Sequence, residues 1–149
     1  MSEPSARPGN PGEVEPFETQ GYFSVLHTTP ASAQTVRVYL GVVNERGLVL
    51  RRFTAVPHTS LVANAAAFNT FRPFLSTVKD GTATVRYLGA GRATAGYSLL
   101  INIPFRLHAE ENFNEDLPVG ALVGLDIVTT GTPDATRLLI QAGYIRTRR

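Results

Sequence analysis

The 149-residue chain has no cysteine, no tryptophan, one methionine and a single lysine, Lys79. Without cysteine it can build no disulfide framework, no thiolate metal site and no cysteine nucleophile. Charge is scarce as well: Asp, Glu, Lys and Arg make up 17% of the residues, and the formal net charge is +2. That is too little for the electrostatic footprint of a nucleic-acid binder, so nucleic acid is not an expected partner. The arginines are spread along the chain except for Arg146, Arg148 and Arg149 at the end, and a solvated tail accounts for those. No apolar run approaches the roughly 18 residues of a membrane span, so no membrane partner is expected. The opening residues lack the apolar core of a secretory signal. A soluble, non-exported protein is the expectation. The low charge in a chain that is 43% hydrophobic points to surface covered by a partner.

What is present is strand signal. "GYFSVLHTT" (Gly21 to Thr29) mixes aromatic and β-branched residues and stops at Pro30. "TVRVYLGVV" (Thr35 to Val43) places Val36, Val38, Leu40 and Val42 on one face at period two. The turn "NERG" and a returning run, "LVLRRFTAV" from Leu48, predict a β-hairpin. "LVANAAAFNTF" (Leu61 to Phe71) has an alanine-rich centre behind Ser60, which predicts a short helix capped by Ser60 and ended before Pro73. Strands resume with "TATVRYL" after Asp80-Gly81, then "YSLLINIPFRLHA" in two segments around Pro104. "ALVGLDIVTT" and "RLLIQAGYIRT" complete the set. Seven or eight short strands with frequent Gly/Pro turns predict an all-β domain with one short helix possible: an antiparallel β-sandwich, jelly-roll-like fold or small barrel.

Candidate chemistry is sparse. "GRATAGYS" (Gly91 to Ser98) approaches a phosphate-binding loop, but Tyr97 stands where lysine is required and no helix follows. A flexible inter-strand loop is expected instead. His27, His58 and His108 show no metal-ligand spacing. Asp126, inside "LVGLDIV", is either a buried base with a raised pKa or, as alternation favours, an outward-facing or inter-subunit contact residue on the face opposite its apolar neighbours. The stretch from Glu110 to Asp116 crowds oxygen ligands as a calcium loop does, without the EF-hand spacing. It could equally meet arginines of a neighbouring copy. No enzyme, no cofactor, no metal and no catalytic residue are expected.

The first 20 residues, "MSEPSARPGNPGEVEPFETQ", contain four prolines, four glutamates and one arginine. Extended, they reach on the order of 60 Å, further than the roughly 35–40 Å breadth of the domain that follows. Residues 1–20 are therefore taken as an extended arm and 21–149 as the β-domain, with Val14 and Phe17 as the partner-binding anchors. Pro-rich "PSARPGNPGEVEP" followed by short strands resembles small viral and bacteriophage capsid or head-decoration β-sandwich proteins. The resemblance implies a structural virion protein on the capsid exterior, a decoration (cement) protein that forms homo-oligomers, trimers being favoured, on a major shell protein. The acidic arm argues against facing a genome. Two alternatives stay open: a single jelly-roll protein that forms the shell, and a non-catalytic ligand- or carbohydrate-binding sandwich, for which exposed aromatics would be wanted.

Overall fold

The computed structural model describes residues 20–109 and 114–147; Val14, Phe17 and all but the last residue of the arm lie outside them. The described residues form ten strands and no helix. These are β1 (Gly21–Thr28), β2 (Gln34–Val42), β3 (Leu48–Pro57), β4 (Phe68–Lys79), β5 (Thr82–Tyr87), β6 (Arg92–Ala93), β7 (Phe105–Arg106), β8 (Glu115–Leu117), β9 (Leu122–Thr130) and β10 (Arg137–Arg146). They make two antiparallel sheets. Sheet A has the order β1-β10-β3-β7, with β8 also on β3; sheet B has the order β2-β9-β4-β5, with β6 also on β4. The four-strand order of each sheet, with the chain crossing between sheets from β1 to β4, is the winding of a jelly roll. The sheets stay open at their edges, so of the folds expected from the sequence the sandwich is the one observed and the small barrel is not.

Period-two alternation builds the core. Phe53, Ala55, Leu138 and Ile140 point inward from sheet A, and Phe71, Leu75, Val123, Leu125 and Ile127 meet them from sheet B, all buried. Two register shifts adjust the phase, one at Leu40 on β2, between Tyr39 and Gly41, and one at Arg51 on β3, which is skipped between the partners of Gly143 and Tyr144. The β2 bulge breaks the simple alternation expected from the sequence. Val42 is turned out at 52% exposure and Val43 is turned in at 1%.

Three local expectations are corrected. The runs flanking "NERG" do not pair with each other: β2 joins β9 in one sheet and β3 joins β10 in the other. Val43 exchanges backbone hydrogen bonds with the turn before β9, to Ala121 O at 2.8 Å and from Gly120 N at 2.7 Å. Two amphipathic runs around a short turn signal a hairpin and an arch between facing sheets equally well. Here the better-matched partners β9 and β10 decide.

The helix at Leu61 to Phe71 is absent. Asn64 Oδ1 accepts the N–H groups of Ala66 and Ala67 at 2.8 and 3.2 Å, which is a turn, and from Phe68 the chain enters β4. Ser60 caps nothing; its Oγ accepts the Ile101 N–H at 2.9 Å. Three alanines cannot offset helix nucleation, whereas nine residues of β4 pair with β9. Pro73 fits inside β4 because its missing N–H falls beside the break between β5 and β6, and its carbonyl still accepts from Leu88 N at 2.9 Å.

Finally, "YSLLINIPFRLHA" supplies only the two-residue β7 rather than two strands. Asn102 takes a left-handed φ of 62°, Pro104 follows two residues on, and Leu100–Ile103 leave the sheet as an exposed apolar loop.

The β2 bulge has a direct test. Val43→Ala should cost about 2 kcal/mol and Val42→Ala less than about 0.5 kcal/mol in urea denaturation. Straight alternation along β2 would reverse that order.

Candidate functional site

The outer faces of the two sheets carry the groups that the core leaves over, and they solve that problem differently. On sheet B the register places Arg37, Asp126 and Arg72 side by side on β2, β9 and β4. Asp126 therefore lies on the face opposite its apolar neighbours, as alternation implies. It is nonetheless only 3% exposed, because its neighbours roof it. Arg37 grips it through two parallel bonds, Nε to Oδ1 at 2.8 Å and Nη2 to Oδ2 at 2.9 Å, and the Tyr87 hydroxyl donates to Oδ2. The arginines also cover aromatic rings, Arg37 over Phe74 at 4.7 Å and Arg72 over Tyr87 at 3.8 Å. Phe74 lies flat over Gly124, where any Cβ would collide with its ring. Glycine at this place in β9 is what lets an outward-facing phenylalanine be buried.

The electrostatics follow from that geometry. Burial alone would raise the Asp126 carboxyl. Hydrogen bonds from Arg37 and Tyr87, with the positive charges of Arg37 and Arg72, outweigh it and hold the group below the ordinary carboxylate range. The hydrogen bond to Asp126 raises the Tyr87 hydroxyl and, with the carboxylate's charge, the Arg37 guanidinium. A base with a raised pKa is therefore not what Asp126 is. It is an ionised carboxylate fixed by its partners.

On sheet A the corresponding face carries one apolar row, bounded by Thr28 opposite Arg137 on one side and by Ser24, Gln141, Thr54 and Arg106 on the other. Leu26 on β1 lies opposite Leu139 on β10, and Leu139 lies opposite Val56 on β3. Beside this row the exposed loop Leu100–Ile103 is tied down by Asn102 N to Pro57 O at 3.0 Å, and Leu99 and Leu61 exchange two bonds at 2.8 Å. Between row and loop runs a groove of about 330 Å³ lined by Leu26, Val56, Pro57, His58, Arg137 and Leu139, with Asn102 at its rim. Leu26, Leu100, Ile101 and Ile103 are each at least half exposed. Exposed apolar side chains gathered beside a groove are a usual mark of an interaction site.

The sequence-selected residues do not converge. His27 faces the interior from β1, where burial lowers its pKa. His58 is exposed just past β3, and His108 is buried beside Gly91. Among the described residues no three His, Cys, Asp or Glu side chains come together as a metal site. Of the stretch from Glu110 to Asp116, residues 110–113 lie outside the described residues. Glu115 pairs with Arg86 of the same chain at 2.8 Å. The loop at Gly91–Ser98 is tied to β4 through β6 and through Thr94 N to Asn69 O at 2.9 Å. Sequence reading missed Arg37, Arg72 and Tyr87 as partners of Asp126. The available signal was a charged residue at the centre of each of two apolar runs, "TVRVYL" and "LVGLDIV", which is an invitation to pair them.

No family model matches the chain, and no curated protein does. A solved structure of the infectious bursal disease virus Gx strain is similar at a TM-score of 0.43 and 16% identity, over 83% of this chain and 30% of that one. The chain thus spans less than a third of that neighbour's length.

Replacing Arg37 by Met strands a buried carboxylate and should cost about 2–3 kcal/mol. The figure is below the 3–5 kcal/mol of fully buried pairs because Arg37 keeps 37% of its side chain exposed. Asp126→Asn, which leaves the more exposed partner, should cost less. Because the folded state depresses the Asp126 pKa, its contribution is complete above about pH 4 and is lost as pH falls through the lower folded value. The stability gap between wild type and Asp126→Asn should therefore shrink in acid when urea melts at pH 7 and pH 3 are compared.

Proposed function

We propose that this chain is a structural virion protein, a jelly-roll subunit that self-associates through the apolar outer face of sheet A. The observation that carries the reading is that row of Leu26, Leu139 and Val56 with the anchored loop Leu100–Ile103. The jelly roll recurs among viral capsid domains, lectins and cupins. A cupin-like role needs an interior ligand site, and this interior is filled by Phe53, Phe71, Leu125 and Ile127. The outer faces are left to carry function, and an exposed apolar row suits burial against other protein copies.

The role is structural rather than catalytic. Alanine at His27, His58, His108 or Asp126 should change stability at most. Within a virion, the single jelly-roll winding favours a shell-forming subunit over the decorating one expected from the sequence. Trimers remain the favoured oligomer, and residues 1–20 serve as a tether to an adjacent copy through Val14 and Phe17. The described chain enters β1 at Gln20, which is held to the end of β10 by Gln20 N to Tyr144 O at 2.8 Å and by Arg146 N to Gln20 Oε1 at 2.6 Å. The arm therefore starts from a fixed point at the rim of sheet A.

Purified full-length protein should form oligomers or closed particles by light scattering and negative-stain microscopy. Ile101→Ser with Ile103→Ser should weaken that association at least about tenfold, since each buried isoleucine contributes roughly 1.5–3 kcal/mol. Closed particles formed without another protein identify a shell-former; ordered oligomers that bind only a preformed shell identify a decoration protein. A monodisperse monomer at millimolar concentration would falsify the assembly reading. Deleting Met1 to Glu15 should leave the domain's melting unchanged and lower the heat resistance of the assembled particle.

A further inference from the structure

We propose that β1 is a docking edge at which two copies of this chain pair antiparallel, β1 against β1, so that sheet A continues across a two-fold axis. This contact lies on the rim of the sandwich, at right angles to the apolar face, and it stands on the strand edge alone.

The register fixes which backbone groups face outward. Thr29 N donates to Thr136 O at 2.9 Å, and the ladder runs from Thr28 opposite Arg137 to Gly21 opposite Tyr144. In an antiparallel ladder every second residue bonds to the partner strand, so the odd-numbered residues of β1 bond to β10. The phase is checked on the other side of β10, where His58 N donates to Arg137 O at 2.8 Å. That bond turns the odd-numbered residues of β10 toward β3 and the even-numbered ones toward β1. Ser24, Leu26 and Thr28 consequently aim their N–H and C=O groups away from the sheet, and among the described residues β1 pairs with β10 alone.

Edges are normally guarded by charge, proline, bulges or shortness. The other long edge, β2, carries Arg37 and a bulge; β5 is six residues long and carries Arg86. β1 has none of these devices. Its eight residues, GYFSVLHT, include no Lys, Arg, Asp, Glu or Pro, and its register with β10 runs without a shift.

The charge pattern selects the occupant. An uncharged edge is matched by an uncharged edge, and a second β1 is one. The Pro-rich arm is the poorer strand, since Pro4, Pro8, Pro11 and Pro16 have no N–H to give and four glutamates accompany them. Antiparallel pairing of identical strands also satisfies both copies equally, as a two-fold contact must. An edge about 27 Å long on a sandwich side roughly 18 Å deep buries about 1,000 Å² over both copies, the lower limit for a specific interface. Self-association through β1 is therefore concentration-dependent.

Sedimentation equilibrium of the full chain from micromolar to millimolar concentration tests this. Ser24→Lys places like charges across the contact and lies outside the Leu26 row. Thr28→Pro removes an outward N–H that the sheet does not use and likewise lies outside that row. Both should keep the far-UV spectrum and halve the mass of the largest species, whereas Ile101→Ser with Ile103→Ser should leave the β1 dimer intact. A folded Ser24→Lys variant with wild-type mass at every concentration overturns the proposal, as does a wild type that is monomeric throughout. Should Thr28→Pro fail to fold, Ser24→Lys decides alone. Loss of association in the isoleucine variant with no change in the edge variants would overturn β1 pairing and leave the apolar-face contact standing.

Discussion

The layer of side chains shared by the two sheets sets the phase of everything else in this molecule. A strand has two faces, and once Phe53, Ile140, Phe71, Leu125 and Ile127 are turned inward, the residues between them have no choice of side. Arg37, Asp126 and Arg72 then fall into one row on sheet B, and Leu26, Leu139 and Val56 into one row on sheet A. A one-residue slip would reverse both faces. The bulges on β2 and β3 act within this constraint: the first lets Val43 reach the core, and the second takes up Arg51 while Tyr144 on β10 stays against Phe23 at 5.2 Å.

The two rows have opposite consequences. On sheet B the charges are answered inside the chain: Asp126 is neutralised by Arg37, hydrogen-bonded by Tyr87 and flanked by Arg72, while the guanidinium groups cover aromatic rings. Burial of such a pair contributes little net stability, but each partner is costly to lose, which makes the row a fixture. On sheet A the apolar row is left partly open, with Leu26 56% exposed, and the loop that could have formed a strand instead exposes Leu100, Ile101 and Ile103. The asymmetry gives the sandwich a self-contained side and a side with unmet apolar area.

Edges complete the picture. A jelly roll leaves four strand edges, and here the short β5, β7 and β8 and the bulged β2 blunt all but one. In the assembly proposed above, face and edge act together: one contact closes a small ring and the two-fold contact links rings. Geometry of this sort requires only that the subunit be rigid, and a dry core between two ladders supplies that rigidity.

The sequence by itself determined the all-β class and nearly every long strand. Period two, β-branched residues and Gly/Pro punctuation are local properties, and Gly21–Thr28, Leu122–Thr130 and Arg137–Arg146 are legible from them within a residue or two. It also placed Asp126 on the outward side of its strand, because alternation is local too. Partner choice was not legible. The runs around "NERG" look like a hairpin from either end, and only the competition of β9 and β10 for them separates them into two sheets. The alanine-rich stretch before Phe68 reads as helix until β9 offers a ladder. The bulge that exchanges Val42 for Val43, the arginine that meets Asp126 from 89 residues away, and the exposure of "LINI" (Leu100 to Ile103) were decided by the tertiary structure alone. Each depends on which strand lies alongside, and that is fixed by closure of the whole core.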